Sequence, residues 1–195
     1  MDGYHISLFI HLLALVAAAS ASSVVHLSEA RGRRAASVAE ARQWHALTGS
    51  TARVFPIAIL VLLATGGYMV GDGSAWSWGA GWVDAGLVGI VALFVNGGVI
   101  GARSARIGRA LAALGVGEAG KARAALHDPV VANLSWINTG LAIGVVFAMA
   151  AKPALVGSLS ALVVGAAAGL ALGLRLERSA ARAPATVAAR EDLAS

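Results

Sequence analysis

The stretch SLFIHLLALVAAASASSVVH, residues 7–26, decides the fold, because it contains no Asp, Glu, Lys or Arg over a length that can cross a bilayer. A transmembrane helix needs about 20 predominantly apolar residues. Backbone groups in lipid must be paired internally, and the apolar segments lack the alternation typical of barrel strands. The sequence therefore predicts an all-α, polytopic membrane protein with a five-helix transmembrane bundle. The five predicted spans cover residues 6–25, 54–70, 83–101, 134–151 and 154–174.

Composition supports the same class. The chain has 195 residues, of which 58% are hydrophobic and only 13% are charged, whereas roughly a quarter of the residues in a soluble domain are charged. Residues 1–175 are predicted to form a single transmembrane helical domain, and residues 176–195 a flexible cytoplasmic tail. Cysteine is absent, which excludes disulfides, thiolate metal sites and redox dithiols.

The basic residues predict the orientation. Of the 15 Lys and Arg residues, all but Lys152 fall in residues 28–53, residues 102–130 or residues 175–195. With five spans these segments share one side, so the positive-inside rule places the N-terminus outside and the C-terminus in the cytoplasm. The segment RSARIGRALAAL, residues 103–114, predicts a helix lying on anionic lipids. Arginines confined to such short loops argue against nucleic acid as a partner.

Small residues predict how the spans pack, because apolar helices in lipid associate where their backbones can approach closely. The fifth span repeats small residues every four positions, and pairs of glycines mark the other spans. We expect a tight bundle, with an unused glycine face available for a homo-oligomer or a membrane-protein partner. The fifth-span residues are Gly157, Ala161, Gly165, Gly169 and Gly173, and the pairs are Gly67 and Gly71, Gly97 and Gly101, and Gly140 and Gly144.

Two asparagines predict a polar cluster near the inner leaflet. Asn96 lies five residues from the cytoplasmic end of the third span and Asn138 four residues into the fourth, which gives them a similar depth. Ser20, Ser22 and Ser23 of the first span reach that level too. Hydrogen bonds between these helices are the first interpretation, and a quinone or solute pocket is the alternative.

His11 is the one histidine within a predicted span, and it shares a small, polar helix face with Ser7 and Ser22. We expect it to point into the bundle, where an ionisable residue is a functional hypothesis. One interpretation is a hydrogen bond to a neighbouring helix through Ser158, Ser160 or a backbone carbonyl. The others are ligation of haem iron or copper and proton handling.

Any second ligand for His11 must come from residues other than histidine. By depth, Met69 and Met149 are the nearest candidates, so the predicted cofactor-binding set is His11, Met69 and Met149, with haem b as the candidate cofactor. The sequence holds no HExxH, GxSxG or phosphate-loop motif and no pair of acids within a span, so it leans away from an enzyme. The lack of an inverted repeat disfavours a transporter.

Three quoted stretches carry a family resemblance: IHLLALVAAASAS in the first span, FPIAILVLLATGGYMV in the second, and GARSARIGR closing the third. Over about residues 6–110 the chain resembles a family of bacterial integral membrane proteins of unknown function. That family is distantly similar to CopD-like copper-resistance membrane proteins and to the membrane-embedded protoporphyrinogen oxidase. The resemblance implies a bacterial inner-membrane protein with His11 at the position of a haem or copper ligand. The alternative is a non-enzymatic membrane subunit that packs with partner helices through its glycine faces.

Overall fold

The computed structural model describes residues 2–71 and 77–192 of the chain, with side chains up to residue 178. Residues 193–195, at the end of the predicted tail, lie outside this part. The described residues form seven helices and no strand. The helices are α1 (Gly3–Gly32), α2 (Val38–Ala52), α3 (Val54–Gly71), α4 (Gly81–Ala113), α5 (Ala119–Leu126), α6 (Pro129–Ala151) and α7 (Leu155–Asp192).

Five of these helical stretches are long and apolar enough to cross a membrane: α1, α2 with α3, α4, α6 and the part of α7 up to Arg178. This finding confirms the predicted all-α class and the five-helix membrane bundle. The backbone of α7 continues through residues 176–192, in the region for which the sequence predicts a flexible tail. The side on which each terminus lies stays a prediction.

Local signals explain where several helices begin and end. Asp128 caps α6 by accepting hydrogen bonds from the backbone N–H groups of Val130 and Val131, and Pro129 occupies the first turn. Lys152 ends α6 in the left-handed conformation, with φ 50°. Pro153 follows it and cannot continue the same helix. The chain therefore turns between the fourth and fifth spans, as the sequence indicates.

Helix α4 is longer than a membrane requires. Its 33 residues correspond to about 50 Å at about 1.5 Å per residue, whereas the hydrocarbon core is about 30 Å thick. Residues 102–113 therefore continue the helix beyond the bilayer instead of forming a separate helix along the lipid surface. Their apolar side meets protein, because Leu111 is buried in a cluster whose other members are Ala35, Val38, Ala41 and Ala122.

Two arginines hold this layer of α2, α5 and the end of α4 together. The Arg42 guanidinium donates to the backbone carbonyls of Leu111, Ala112 and Leu114, which satisfies the acceptors at the C-terminus of α4. Arg123 donates to the Ala35 carbonyl at 3.0 Å. This layer contains most of the basic segments, residues 28–53 and 102–130, and lies at one end of the bundle. That end is called here the basic end.

The spans form two groups. Helix α1 packs along α3, while α6 packs along α7 and both contact α4. The two groups meet near the basic end, where side chains of α1 reach α6. These neighbours determine which polar side chains can come together.

Candidate functional site

His11 contacts α3. Its Nδ1 atom lies 2.8 Å from Oγ1 of Thr65, and Ser7, one turn earlier on α1, donates to the Thr65 carbonyl at 3.2 Å. The ring is thus hydrogen-bonded to a neighbouring helix, but not through either serine considered from the sequence. Ser158 is fully buried and donates to the Pro153 carbonyl, and Ser160 is exposed. Those serines belong to α7, which packs on α6 and α4, whereas α1 packs on α3.

The hydrogen bonds of Thr65 determine which ring nitrogen of His11 carries the proton. The Thr65 hydroxyl has one hydrogen, and it donates that hydrogen to the Val61 carbonyl at 2.6 Å. The pattern matches a neutral His11 ring whose hydrogen is on Nδ1 and is donated to the Thr65 oxygen. In that tautomer Nε2 carries a lone pair.

The two methionines of the predicted cofactor set lie in different helix groups. Met69 is one turn beyond Thr65 on α3 and shares its helix face. Met149 packs in the α4–α6–α7 group, against a core cluster that includes Leu141 and Leu162. Within residues 2–71 and 77–178, whose side chains the structure describes, no group of three or more His, Asp or Glu side chains could hold a metal ion.

The predicted polar cluster is divided between two helix pairs. Asn96 of α4 donates to Asn138 of α6 at 3.0 Å. Ser20 and Ser23 are exposed, and Ser23 donates to the carbonyl of Ala19 on its own helix. Ser22 does reach another helix, since its hydroxyl lies 3.2 Å from that of Thr139.

A second histidine completes this contact between α1 and α6. Nε2 of His26 lies 2.8 Å from Oγ1 of Thr139. The imidazole also stacks on Trp136, with ring centroids 4.0 Å apart and an interplanar angle of 18°. Ser22, His26 and Thr139 therefore form one network across the interface.

Glu29 extends the network toward the basic end. Its carboxylate accepts a hydrogen bond of 3.3 Å from the buried Ser135 hydroxyl. The sequence patterns did not indicate Glu29, His26 and Thr139 as site residues, since the predicted first span ends at residue 25. A detectable signal exists, because spacings of three or four residues place Ser22, His26 and Glu29 on one face of α1.

A small, partly open cavity of about 30 Å³ lies beside Glu29 at the junction of the helices. That volume accommodates one water molecule. Its lining combines charged and hydroxyl groups with apolar ones. The polar side chains around it are Ser28, Glu29, Arg33, His45, Thr48, Ser104 and Asp128.

Asp128 lines this cavity and is held by an ion pair. Nη1 of Arg103 lies 2.9 Å from its carboxylate. Partial burial raises the pKa of Asp128, but hydrogen bonds from Arg103 and from the N–H groups of Val131 and Val130 bring the pKa below its usual 3.8. The carboxylate is therefore ionised at neutral pH and neutralises one charge at the basic end.

The glycines of α6 and α7 are packed so tightly that a larger side chain would overlap neighbouring atoms. A Cβ atom at Gly144 would lie 2.6 Å from the Ala161 carbonyl oxygen, and one at Gly173 would lie 2.8 Å from Cδ1 of Trp136. Cβ atoms at Gly140 or Gly165 would each overlap the other's carbonyl oxygen. The small-residue face predicted for the fifth span is thus used within the chain.

Two glycines of α3 and three glycines in the middle of α4 are open, whereas Gly89 of α4 faces Val145 of α6. No atom lies within 4 Å of a Cβ placed at Gly67, Gly71, Gly97, Gly98 or Gly101. The three glycines of α4 are solvent-accessible and follow Phe94, whose exposed fraction is 64%. Phe94, Gly97, Gly98 and Gly101 are called here the open face of α4.

Polar side chains of α1 therefore reach α3 and α6, whereas α6 and α7 meet through glycine.

No family model, curated protein or solved structure matches the chain.

Proposed function

We propose that the chain is a non-enzymatic subunit of a larger membrane assembly, and that the open face of α4 receives a transmembrane helix of a partner. The observation that carries the proposal is the division of the glycines. Four glycines of α6 and α7 contact backbone of the facing helix, whereas a Cβ atom at Gly97, Gly98 or Gly101 would have no atom within 4 Å. Lipid tails offer little reason for apolar helices to associate, so close backbone approach is the main attraction such a face can provide.

The partner is a second copy of this chain or another membrane protein, and covalent trapping distinguishes them. Because the natural chain has no cysteine, Gly98→Cys introduces a unique attachment point for a benzophenone photo-crosslinker in native membranes. We expect a discrete adduct at this position. An adduct of twice the chain mass identifies a second copy, and any other discrete mass identifies a different protein.

Val163→Cys is the matched control, since Val163 lies on α7 with an exposed fraction of 68% and faces lipid in this proposal. It should yield no discrete protein adduct. Equal adducts at both positions, or none at Gly98→Cys, would contradict a partner at the open face.

The same proposal places the protein in a bacterial inner membrane, with the N-terminus outside and anionic lipids against the basic end. The gathering of α2 and α5 at one end of the bundle supports it. A membrane-impermeant maleimide applied to intact cells should label His5→Cys but not Gly120→Cys. Labelling of Gly120→Cys alone would reverse the orientation.

A second candidate function, haem b or copper handling at His11, has one specific observation in its favour. Histidines that bind metals usually donate their other ring N–H to an acceptor, and Nδ1 of His11 lies 2.8 Å from a Thr65 oxygen that can accept from it. The CopD-like relationship belongs to this proposal. Met69 is the methionine closer to His11 along the α3 face, and Met149 belongs to the other helix group.

Absorption spectra and elemental analysis of purified protein, expressed with added haem or copper, test this candidate. A Soret band or bound copper that His11→Ala abolishes would support it. Thr65→Val should weaken binding by about 10- to 100-fold, because it removes the group that orients the ring. A flat spectrum together with copper-free protein would exclude this function.

A further inference from the structure

The α1–α6 interface contains two titratable groups that the proposed function does not use. Glu29 and His26 lie one turn apart on α1, and each is held by a hydroxyl group of α6, Ser135 and Thr139 respectively. Ionisable side chains inside a membrane helix bundle are costly and usually functional. Apolar residues with the same helix spacing would pack these helices without that cost.

The cavity of about 30 Å³ lies between Glu29 and the basic end of the bundle. Glu29 lines it, together with polar groups of α1, α2 and α4 and with Asp128, and one water molecule can occupy it. The charged and titratable groups facing Glu29 are His26 and Arg33 of α1, His45 of α2, Arg103 of α4 and Asp128 before α6.

The charges around the cavity favour a proton over a metal cation as its ligand. Arg33 acts electrostatically on Glu29, and Asp128 is already paired with Arg103, so an added metal ion would face two fixed cations. A proton adds no ion to be coordinated. It only converts the carboxylate that accepts from Ser135 into a neutral carboxyl group that can also donate.

We propose that Glu29 is an exchangeable proton site at the α1–α6 interface, coupled to His26 and reached from the basic end through the cavity. A hydronium ion delivers the proton to a carboxylate oxygen of Glu29 and leaves a neutral water. Uptake removes the negative charge beside Arg33 and one turn from His26. The hydrogen bonds that hold α1 on α6 then change with the protonation of Glu29.

Carbon-13 NMR of glutamate-labelled full-length protein in lipid nanodiscs tests the proposal. The chain has five glutamates, Glu29, Glu40, Glu118, Glu177 and Glu191, and the signal missing from Glu29→Gln identifies Glu29. We expect its carboxyl signal to titrate more than about one pH unit apart from the other four glutamates. The ring signals of His26 should change in the same pH interval, and this change should be absent in Glu29→Gln.

Glu118→Gln is the control, since Glu118 pairs with Lys121 in the loop layer, and it should leave both responses intact. Replacing NaCl by N-methylglucamine chloride at constant pH should not move the Glu29 signal, whereas a shift would indicate a sodium site and overturn the proposal. Titration together with the other glutamates, or no titration between about pH 4 and about pH 9, would overturn it as well. If all five glutamate signals of the wild type titrated together, the proposal would be overturned without any variant, so this outcome does not depend on the folding of Glu29→Gln.

Discussion

The two interfaces of α6 use different kinds of contact. Toward α7, glycines bring backbone against backbone, so that Gly140 and Gly165 leave no room for a Cβ atom. Toward α1, long polar side chains bridge a wider gap, with His26 and Glu29 bonded to hydroxyl groups of α6. One face is closed by shape and the other is held by hydrogen bonds.

This difference separates rigid from adjustable parts of the bundle. A backbone contact has one geometry, because packed interiors do not accommodate an added methyl group without displacement. A hydrogen-bonded contact can change partners or protonation state while the helices stay in place. We therefore expect substitutions at α6–α7 to affect the whole fold and those at α1–α6 to affect chiefly one helix pair.

The largest effect is expected for Gly140→Leu. The added side chain would overlap the Gly165 carbonyl, so the free energy of unfolding should fall by about 3 kcal/mol. Unfolding in mixed SDS micelles, followed by circular dichroism, measures this change. Gly97→Leu, at an open position, should change the value by less than about 0.5 kcal/mol. Equal losses for both variants would remove the distinction between closed and open glycines.

Thr139→Val is expected to have an intermediate effect. It retains the shape of the side chain but removes the oxygen shared by His26 and Ser22, which should cost about 1 kcal/mol in the same unfolding measurement. Ser23→Ala is the comparison, because the Ser23 hydroxyl bonds only to its own helix in the structure. If the two variants behaved alike, the bridge between α1 and α6 would contribute no stability.

The contact between Asn96 and Asn138 tests a single hydrogen bond between α4 and α6. A double-mutant cycle with Asn96→Leu and Asn138→Leu should show a coupling energy of about 0.6 kcal/mol. The 3.0 Å distance between Nδ2 and Oδ1 is the basis for this expectation. Additive effects of the two substitutions would show that the bond adds no net stability.

The smallest effect is expected at the ion pair outside the spans. Asp128→Asn keeps a good N-cap residue but removes the charge that faces the partly exposed Arg103, so it should cost about 0.5 kcal/mol at neutral pH. The pKa of Asp128 is lower in the folded protein than its usual 3.8. Its contribution is therefore fully present above pH 3.8 and is lost as the pH falls through the lower folded value.

Thermal unfolding of the wild type and of Asp128→Asn as a function of pH checks this sign. The two midpoints should differ at neutral pH and converge in acid. A difference that grows as the pH falls would contradict the lowered pKa of Asp128.

Helix periodicity predicts which residues share a helix face, but it does not predict which helix packs against that face. It indicates that His11 and Ser7 share a polar face, and the structure places both on Thr65. It also indicates the small-residue face of the fifth span, which meets α6. Neither pattern identifies the opposing helix, because each depends only on spacing within its own segment.

Two predictions were wrong for the same reason, because each helix was assumed to end where its apolar residues end. Treating residues 102–113 as a separate surface segment overlooked the continuous helix, although no proline interrupts it. Ending the first span at residue 25 likewise removed His26 and Glu29 from consideration. Hydropathy reports where lipid contact becomes costly, and a helix continues for as long as its backbone hydrogen bonds do.

The sequence by itself determined the all-α class and the five membrane-spanning segments, because the cost of unpaired backbone groups in lipid depends on local composition alone. It also determined which residues share each helix face. Only the tertiary structure decided that α1 pairs with α3, that α6 closes on α7, and that Glu29 meets Ser135. Those outcomes depend on which of several similar apolar helices pack together, and that choice is made by contacts between segments far apart in the chain.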